Sequence, residues 1–172
     1  MSLDLKNYIR DIPDFPQKGI LFRDITPLLG APEAFRACLD LLVERYRGAN
    51  LQKIAGIESR GFLFAAPLAL ELGVGLIPIR KKGKLPSACI SETYDLEYGS
   101  ATIEIHEDAL AAGDRVLLLD DLLATGGTLA AACRLVEKLN ARVAEVCTVI
   151  ELTGLNGREV LGDRPFHSFL QY

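Results

Sequence analysis

Residues 115–136, RVLLLDDLLATGGTLAAACRLV, limit the possible folds more than any other stretch of the 172-residue chain. The apolar run Val116-Leu117-Leu118-Leu119 is short and bounded by polar residues. Such a run suits a strand covered on both faces, as in a parallel sheet. Asp120 and Asp121 stand where that strand should emerge, and Thr125-Gly126-Gly127-Thr128 follows. Leu129, Ala132, Cys133, Val136 and Leu139 then recur at helical spacing. The pattern reads strand, acidic edge, glycine turn, helix. Adjacent glycines let several backbone N–H groups converge on a ligand, because no Cβ stands in the way. The hydroxyls of Thr125 and Thr128 and the positive end of the helix complete a cradle for a phosphate dianion. No lysine follows these glycines, so the Walker pattern for a triphosphate is absent. Paired carboxylates would repel a phosphate but suit vicinal sugar hydroxyls and a hydrated Mg²⁺. A 5-phosphorylated ribose offers both.

A formal net charge of −4 argues against a general nucleic-acid or membrane-surface binder. The length and the 49% apolar content suit a single globular domain over residues 1–172. No apolar run is long enough to span a bilayer, and MSLDLKNYIR lacks a signal-peptide core. Cys38, Cys89, Cys133 and Cys147 form no CxxC pair, which predicts reduced thiols and a cytoplasmic setting. His106 and His167 are far apart in sequence, and neither reads as a metal ligand.

Taken in order, residues 3–11 have the spacing of a short amphipathic helix that Ser2 could cap. In DIPDFPQKGILFRDITPLL, Pro13 and Pro16 impose an extended path and Gly19 permits a turn. A helix is expected over residues 33–47, a buried strand over 53–57 and a second helix over 62–72 that Gly73 ends. Glu58-Ser59-Arg60-Gly61 joins that strand to that helix. Arg60 there suits a diphosphate, or equally a surface ion pair. Residues 75–79 read as a strand running into RKKGKLP, which spacing alone leaves as a solvated charge run or an anion-binding lid. Residues 91–106 alternate around Gly99-Ser100 as a hairpin, with Thr102, Glu104 and His106 on one face and Ile103 and Ile105 on the other. By itself Glu104 reads as a solvated strand carboxylate. A strand over 143–152, a short helix over 155–161 and an edge strand over 166–170 complete the chain. Repeated strand–helix units predict an α/β fold, a three-layer α/β/α domain with a mainly parallel central sheet and a small hairpin or hood region. Sites in such sheets lie beyond the carboxyl ends of the strands.

The segment VLLLDDLLATGGTL resembles the signature of the type I phosphoribosyltransferases, and its LLATGGT variant is similar to that of the adenine-using members. FPQKGILFRDI, IRKKGKLP and YDLEYGSATIEIH extend the resemblance from Asp14 to Tyr172. It implies transfer from 5-phosphoribosyl-1-pyrophosphate (PRPP) to adenine, giving AMP and pyrophosphate with Mg²⁺ held, through water, by Asp120 and Asp121. It further implies that those aspartates, with Ala124, Thr125, Gly126, Gly127 and Thr128, bind PRPP and AMP. Pyrophosphate would meet Glu58, Ser59, Arg60, Gly61, Arg80 and Lys84, with a cis peptide at Glu58–Ser59. Adenine would meet Leu21, Phe22, Arg23 and Leu123, through ring stacking and main-chain groups, while Glu104 handles a purine proton and Arg60 assists the leaving group. An N-terminal base-covering arm (about residues 1–30), a flexible basic loop (about 80–90) and a homodimer are implied as well. The alternatives are a transferase for another base, and a PRPP-sensing regulator that binds nucleic acid, which the acidic net charge disfavours.

Overall fold

The computed structural model describes residues 3–96 and 99–172. Ser2, the expected cap, and Glu97 and Tyr98, near the expected hairpin turn, lie outside them. The chain divides into two compact units, Met1–Arg45 and Tyr46–Tyr172.

In the first unit, the helix expected over residues 3–11 is replaced by one 3-10 turn, Leu5–Tyr8. Its cap is Asp4, whose carboxylate accepts from the Lys6 N–H at 3.0 Å. The following residues form strand β1 (Arg10–Pro13), which pairs antiparallel with β2 (Leu21–Asp24). Strand pairing satisfies backbone groups that an isolated short helix would leave exposed at its ends. Asp24 accepts from the backbone N–H of Thr26 at 2.9 Å and its hydroxyl at 2.7 Å, opening α1 (Thr26–Gly30). That helix is absent from the sequence reading, because Pro27 and a five-residue length hide its periodicity. Helix α2 (Pro32–Tyr46) begins at Pro32, where the missing N–H costs nothing. Of the apolar positions Phe35, Cys38, Leu39, Leu42 and Val43 at helical spacing, the last four are buried and Phe35 is half-buried.

The second unit is a seven-stranded sheet. Its strands are β3 (Lys53–Ile57), β4 (Gly75–Lys81), β5 (Cys89–Asp95), β6 (Ser100–His106), β7 (Arg115–Leu123), β8 (Arg142–Glu151) and β9 (Phe166–Gln171). They are ordered β5-β6-β4-β3-β7-β8-β9. From β4 to β9 the neighbours are parallel, and the β5–β6 hairpin joins antiparallel at one edge. Helix α3 (Phe62–Leu72) follows β3 and α4 (Gly127–Lys138) follows β7, while α5 (Gly157–Leu161) lies between β8 and β9.

The two long helices cover opposite faces of the sheet. Val116 and Leu118 of β7, with Ala55 and Ile57 of β3, pack in one core cluster with Leu129, Ala132, Leu135 and Val136 of α4. Gly56, pointing the other way, lies under α3. A Cβ there would sit 2.8 Å from that of Ala65. Gly73, with φ of 67°, ends α3 as expected. Two strands are longer than their apolar runs, because pairing continues past the last apolar residue. Arg80 and Lys81 pair with β6, and residues 120–123 with β8. Asp120 and Asp121 are therefore strand residues.

From β3 the chain crosses through α3 to β4 on one side, and from β7 through α4 to β8 on the other. The carboxyl ends of β3 and β7 thus border a topological switch point, where α/β sheets bind ligands.

Candidate active site

A cleft of about 610 Å³ opens at that point. Its first wall is the loop after β3, where the Glu58–Ser59 peptide is cis, as the resemblance implies. Ser59 and Arg60 line the cleft. Gly61 lets this loop lie directly on β7. A Cβ at 61 would fall 2.6 Å from the Ile57 carbonyl, 2.8 Å from that of Leu119 and 2.9 Å from Asp120 Oδ1. Gly61→Ala is therefore expected to push the loop outward and to lower kcat/KM for the phosphorylated substrate by roughly 100-fold, which steady-state kinetics will check.

The paired carboxylates stand beside this loop, at the end of β7. Asp121 is buried, and its Oδ2 lies 2.8 Å from Arg60 Nε. That oxygen nevertheless lacks an aligned hydrogen-bond donor. Asp120 accepts the Asp121 N–H at 2.8 Å. Burial, and then the charge of Asp121, push the Asp120 carboxyl well above the usual carboxylate range. Asp121 is raised by burial too, with Arg60 partly opposing. Two underneutralised carboxylates at a cleft are suited to receive donors or a cation. Among the described residues no cluster of three or more His, Cys, Asp or Glu could enclose a metal. A carboxylate pair, without an enclosing cluster, fits Mg²⁺, which keeps several waters and binds substrate phosphates.

Next to the carboxylates, Asp120 and residues 122–129 enclose a smaller cavity of about 90 Å³. Gly126, at φ of 88°, caps α4, so the cradle expected from TGGT stands at the helix N-terminus. The Thr128 hydroxyl donates to Tyr94 Oη of β5 at 2.9 Å, and a Cβ on Gly127 would lie 3.2 Å from the Tyr94 ring. Strand β5 is clamped to α4 further along by Glu92, which meets Arg134 at 2.9 Å and Lys138 at 2.5 Å.

Several sequence expectations for the second unit do not converge on the cleft. Arg80 belongs to β4 and is ion-paired with Glu58, its Nε and Nη2 each 3.2 Å from a carboxylate oxygen. Partial burial favours the neutral Glu58, but the Arg80 bonds, the Lys81 N–H and the Lys84 charge outweigh it and hold its pKa low. Lys84 offers Arg80 its carbonyl, and Lys81 is the residue of this basic run that lines the cleft. Glu104 also points elsewhere. Ala101 and Ile103 line the cleft from β6, so strand alternation turns Glu104 to the other face, where it accepts the Gly83 N–H at 2.9 Å. Leu123 is buried beneath the cradle against Gly157, whereas Leu122 faces the cleft. Leu21, Phe22 and Arg23 occupy β2 in the first unit, with Leu21 exposed and Arg23 ion-paired to Asp11. Lys81, Tyr94 and Leu122 were missing from the sequence-derived site. Alternation counted back from the buried Ile103 to Ala101 could have flagged the inner face of the hairpin.

A switch-point cleft with a glycine turn at a helix N-terminus, a carboxylate pair and a cationic loop suits a phosphorylated sugar. A phosphoribosyl transferase domain model matches residues 25–161. The chain belongs to the phosphoribosyltransferase family. It is 58% identical over 172 residues to an adenine phosphoribosyltransferase of a Roseiflexus species (strain RS-1), covering 100% of each chain. The crystal structure of adenine phosphoribosyltransferase from Thermoanaerobacter pseudethanolicus superposes with a TM-score of 0.95 at 48% identity, over 98% of each chain. The Saccharomyces cerevisiae enzyme, complexed with adenine and an imino-altritol bisphosphate, gives 0.91 at 45% identity over 96% of each.

Proposed function

We propose that this chain transfers the 5-phosphoribosyl group of PRPP to adenine, releasing AMP and pyrophosphate. The observation that carries the reading is one cleft bordered by the 124–128 cradle, the Asp120–Asp121 pair and the Arg60 loop, in a fold shared with adenine phosphoribosyltransferases. The bond from ribose C1 to the pyrophosphate oxygen breaks as a purine nitrogen forms the new bond to C1, and the nitrogen's proton leaves to solvent or a base. Residues 124–128 hold the 5-phosphate through backbone N–H groups and hydroxyls, fixing C1 over the cleft. Asp120 and Asp121 accept from the ribose hydroxyls. Ser59, Arg60, Gly61 and Lys81 face the charge that builds on pyrophosphate, the part of the reaction where fixed donors lower the barrier most. Asp120 and Asp121 would hold Mg²⁺ through water, and the ion would supply further positive charge for the leaving pyrophosphate. Residues 21–23 select the base by stacking and main-chain contacts.

AMP formation from adenine and PRPP, with and without Mg²⁺ and in competition with hypoxanthine, tests the reading. Folded protein that forms no AMP under any of these conditions would overturn it.

Glu104 is assigned to holding the Gly83 turn, and the proton-accepting role to Glu97, which follows the cleft-lining Leu96 in sequence. Glu104→Gln is expected to keep kcat/KM within about threefold of wild type and Glu97→Gln to lose roughly 100-fold. The reverse ranking would return Glu104 to the base.

The active form is a homodimer. Leu63 and Leu70, two turns apart on one side of α3, are 43% and 83% exposed, and a second copy is the covering that this apolar side suits. Sedimentation at micromolar concentration should show a dimer that Leu70→Glu weakens. A monomeric wild type counts against it. The four cysteines are free thiols, which fits a cytoplasmic enzyme.

A further inference from the structure

The phosphate cradle rests on a second element that the chemistry above does not use. Gly157, the first residue of α5, lies against the loop with no spacer. A Cβ on Gly126 would fall 2.5 Å from the Gly157 carbonyl oxygen, and one on Gly157 would fall 2.4 Å from that of Ala124. The Leu152 N–H, just before α5, donates to the Leu123 carbonyl at 2.9 Å, tying the end of β8 to the start of the cradle. The position of α5 therefore sets the position of residues 124–126.

Five residues are too few for a helix to hold its own shape, so outside contacts must place it. Leu161, buried in the core, fixes its far end. Arg158 fixes the near end. Its Nε and Nη2 reach the two carboxylate oxygens of Glu151 at 2.5 and 2.6 Å, a two-pronged pairing that sets angle as well as distance. The guanidinium carbon stands 4.7 Å from the Phe166 ring centroid. Glu151 is 3% exposed, sits beside Leu123 in the β7–β8 register, and is held by Ser168 at 2.6 Å and Gln171 at 3.3 Å. Arg158 lines neither cavity.

We infer that Arg158, locked to Glu151, is a positioning residue for the 5-phosphate loop, holding α5 as the buttress that keeps residues 124–126 in their binding conformation. The inference rests on the phosphoribosyl-transfer reading. It predicts damage confined to the 5-phosphate end of the site, because the Ser59–Arg60 loop is carried by β3 and packs, at Gly61, on the end of β7.

The test compares wild type, Arg158→Ala and Arg158→Lys by calorimetry with ribose 5-phosphate and with pyrophosphate, alongside KM for PRPP and for adenine. Arg158→Ala should weaken ribose 5-phosphate binding and raise KM for PRPP about tenfold, leaving pyrophosphate binding and KM for adenine within twofold. Arg158→Lys, which keeps the charge but loses the fork, should fall between. If Arg158→Ala does not fold, the lysine variant carries the same comparison. A lower melting temperature with both affinities unchanged overturns the inference, as does equal loss for both ligands. Wild-type protein that binds neither ribose 5-phosphate nor PRPP would instead overturn the functional reading on which it rests.

Discussion

Asp120→Asn is expected to lower kcat/KM for PRPP by roughly 100-fold and to leave a protein more heat-stable than wild type in the absence of ligands. The two effects share one cause. Asp120 is partly buried, its closest charged neighbour is another carboxylate, and Arg60 is turned to Asp121. Its folded-state pKa is therefore raised above the ordinary value of 3.8. A group shifted in this direction gives its full stability below the unfolded value and loses it as pH rises through the folded one. At neutral pH, folding thus works against the charge on Asp120 until sugar hydroxyls or a hydrated cation compensate. Asparagine has nearly the same shape and carries no charge, so it removes that opposition, and it replaces one of the two acceptor oxygens proposed for the ribose hydroxyls with an NH₂ donor. The melting temperature of the ligand-free variant should exceed that of wild type at pH 8, by roughly 2–4 °C for each kcal/mol recovered. The difference should shrink as pH is lowered toward 5. Adding PRPP with Mg²⁺ should raise the wild-type value more than the variant's. A variant as active as wild type would remove Asp120 from the sugar site. One less stable at pH 8 would show that its charge is already compensated within the fold.

Much of this site was legible in the sequence because its signals are local. The Val116–Leu119 run, the double aspartate and TGGT give strand, acidic edge and helix start in order, and β3, α3 and α4 stand close to where periodicity puts them. Gly61 was legible as part of a loop motif, though its reason was not. The three oxygens a side chain would meet come from β3 and β7, which are distant in sequence. Strand ends were read short, since the backbone of Arg80 and of Asp120–Asp121 is satisfied by neighbouring strands regardless of side-chain polarity. That error moved Arg80 into an imagined free loop, whereas strand geometry faces it to Glu58. Glu104 shows the same limit. Alternation gives two faces for β6, but only the packing of Ile103 and Ile105 into the core shows which one faces the cleft side of the sheet. The Arg158–Glu151 pairing, seven residues apart across a turn and a short helix, has no periodic signature at all.

The largest effect expected at the base is on selectivity, and it should survive loss of the stacking ring. No side chain of Leu21-Phe22-Arg23 offers an acceptor that adenine's 6-amino group could use, since leucine and phenylalanine have none and arginine only donates. Selection by this segment must then be a main-chain property. The strand pairing suits that role. Pro13 stands opposite Leu21 and has no N–H, so the Leu21 carbonyl receives no donor from that position of β1. Residues of an antiparallel pair alternate between exchanging two hydrogen bonds and exchanging none. The pairing that Pro13 tolerates therefore turns the main-chain groups of Leu21 and Arg23 away from β1. A carbonyl accepting from the 6-amino group and an N–H donating to N1 match adenine. Hypoxanthine, with an oxygen at position 6 and a hydrogen on N1, reverses both, and buried mismatches of this kind reach discrimination on the order of 10⁴-fold. Phe22 would contribute area instead; its ring makes an edge-on contact with Phe15 at 5.1 Å between centroids. Phe22→Ala should lower kcat/KM for every purine roughly tenfold, the scale of a lost base–aromatic stack, and keep the adenine-over-hypoxanthine ratio within about threefold of wild type. The measurement is kcat/KM for both bases in both proteins. A folded variant that uses adenine and hypoxanthine almost equally would place selectivity in the ring, or in a β2 shape that depends on it, and would sink main-chain readout by residues 21–23.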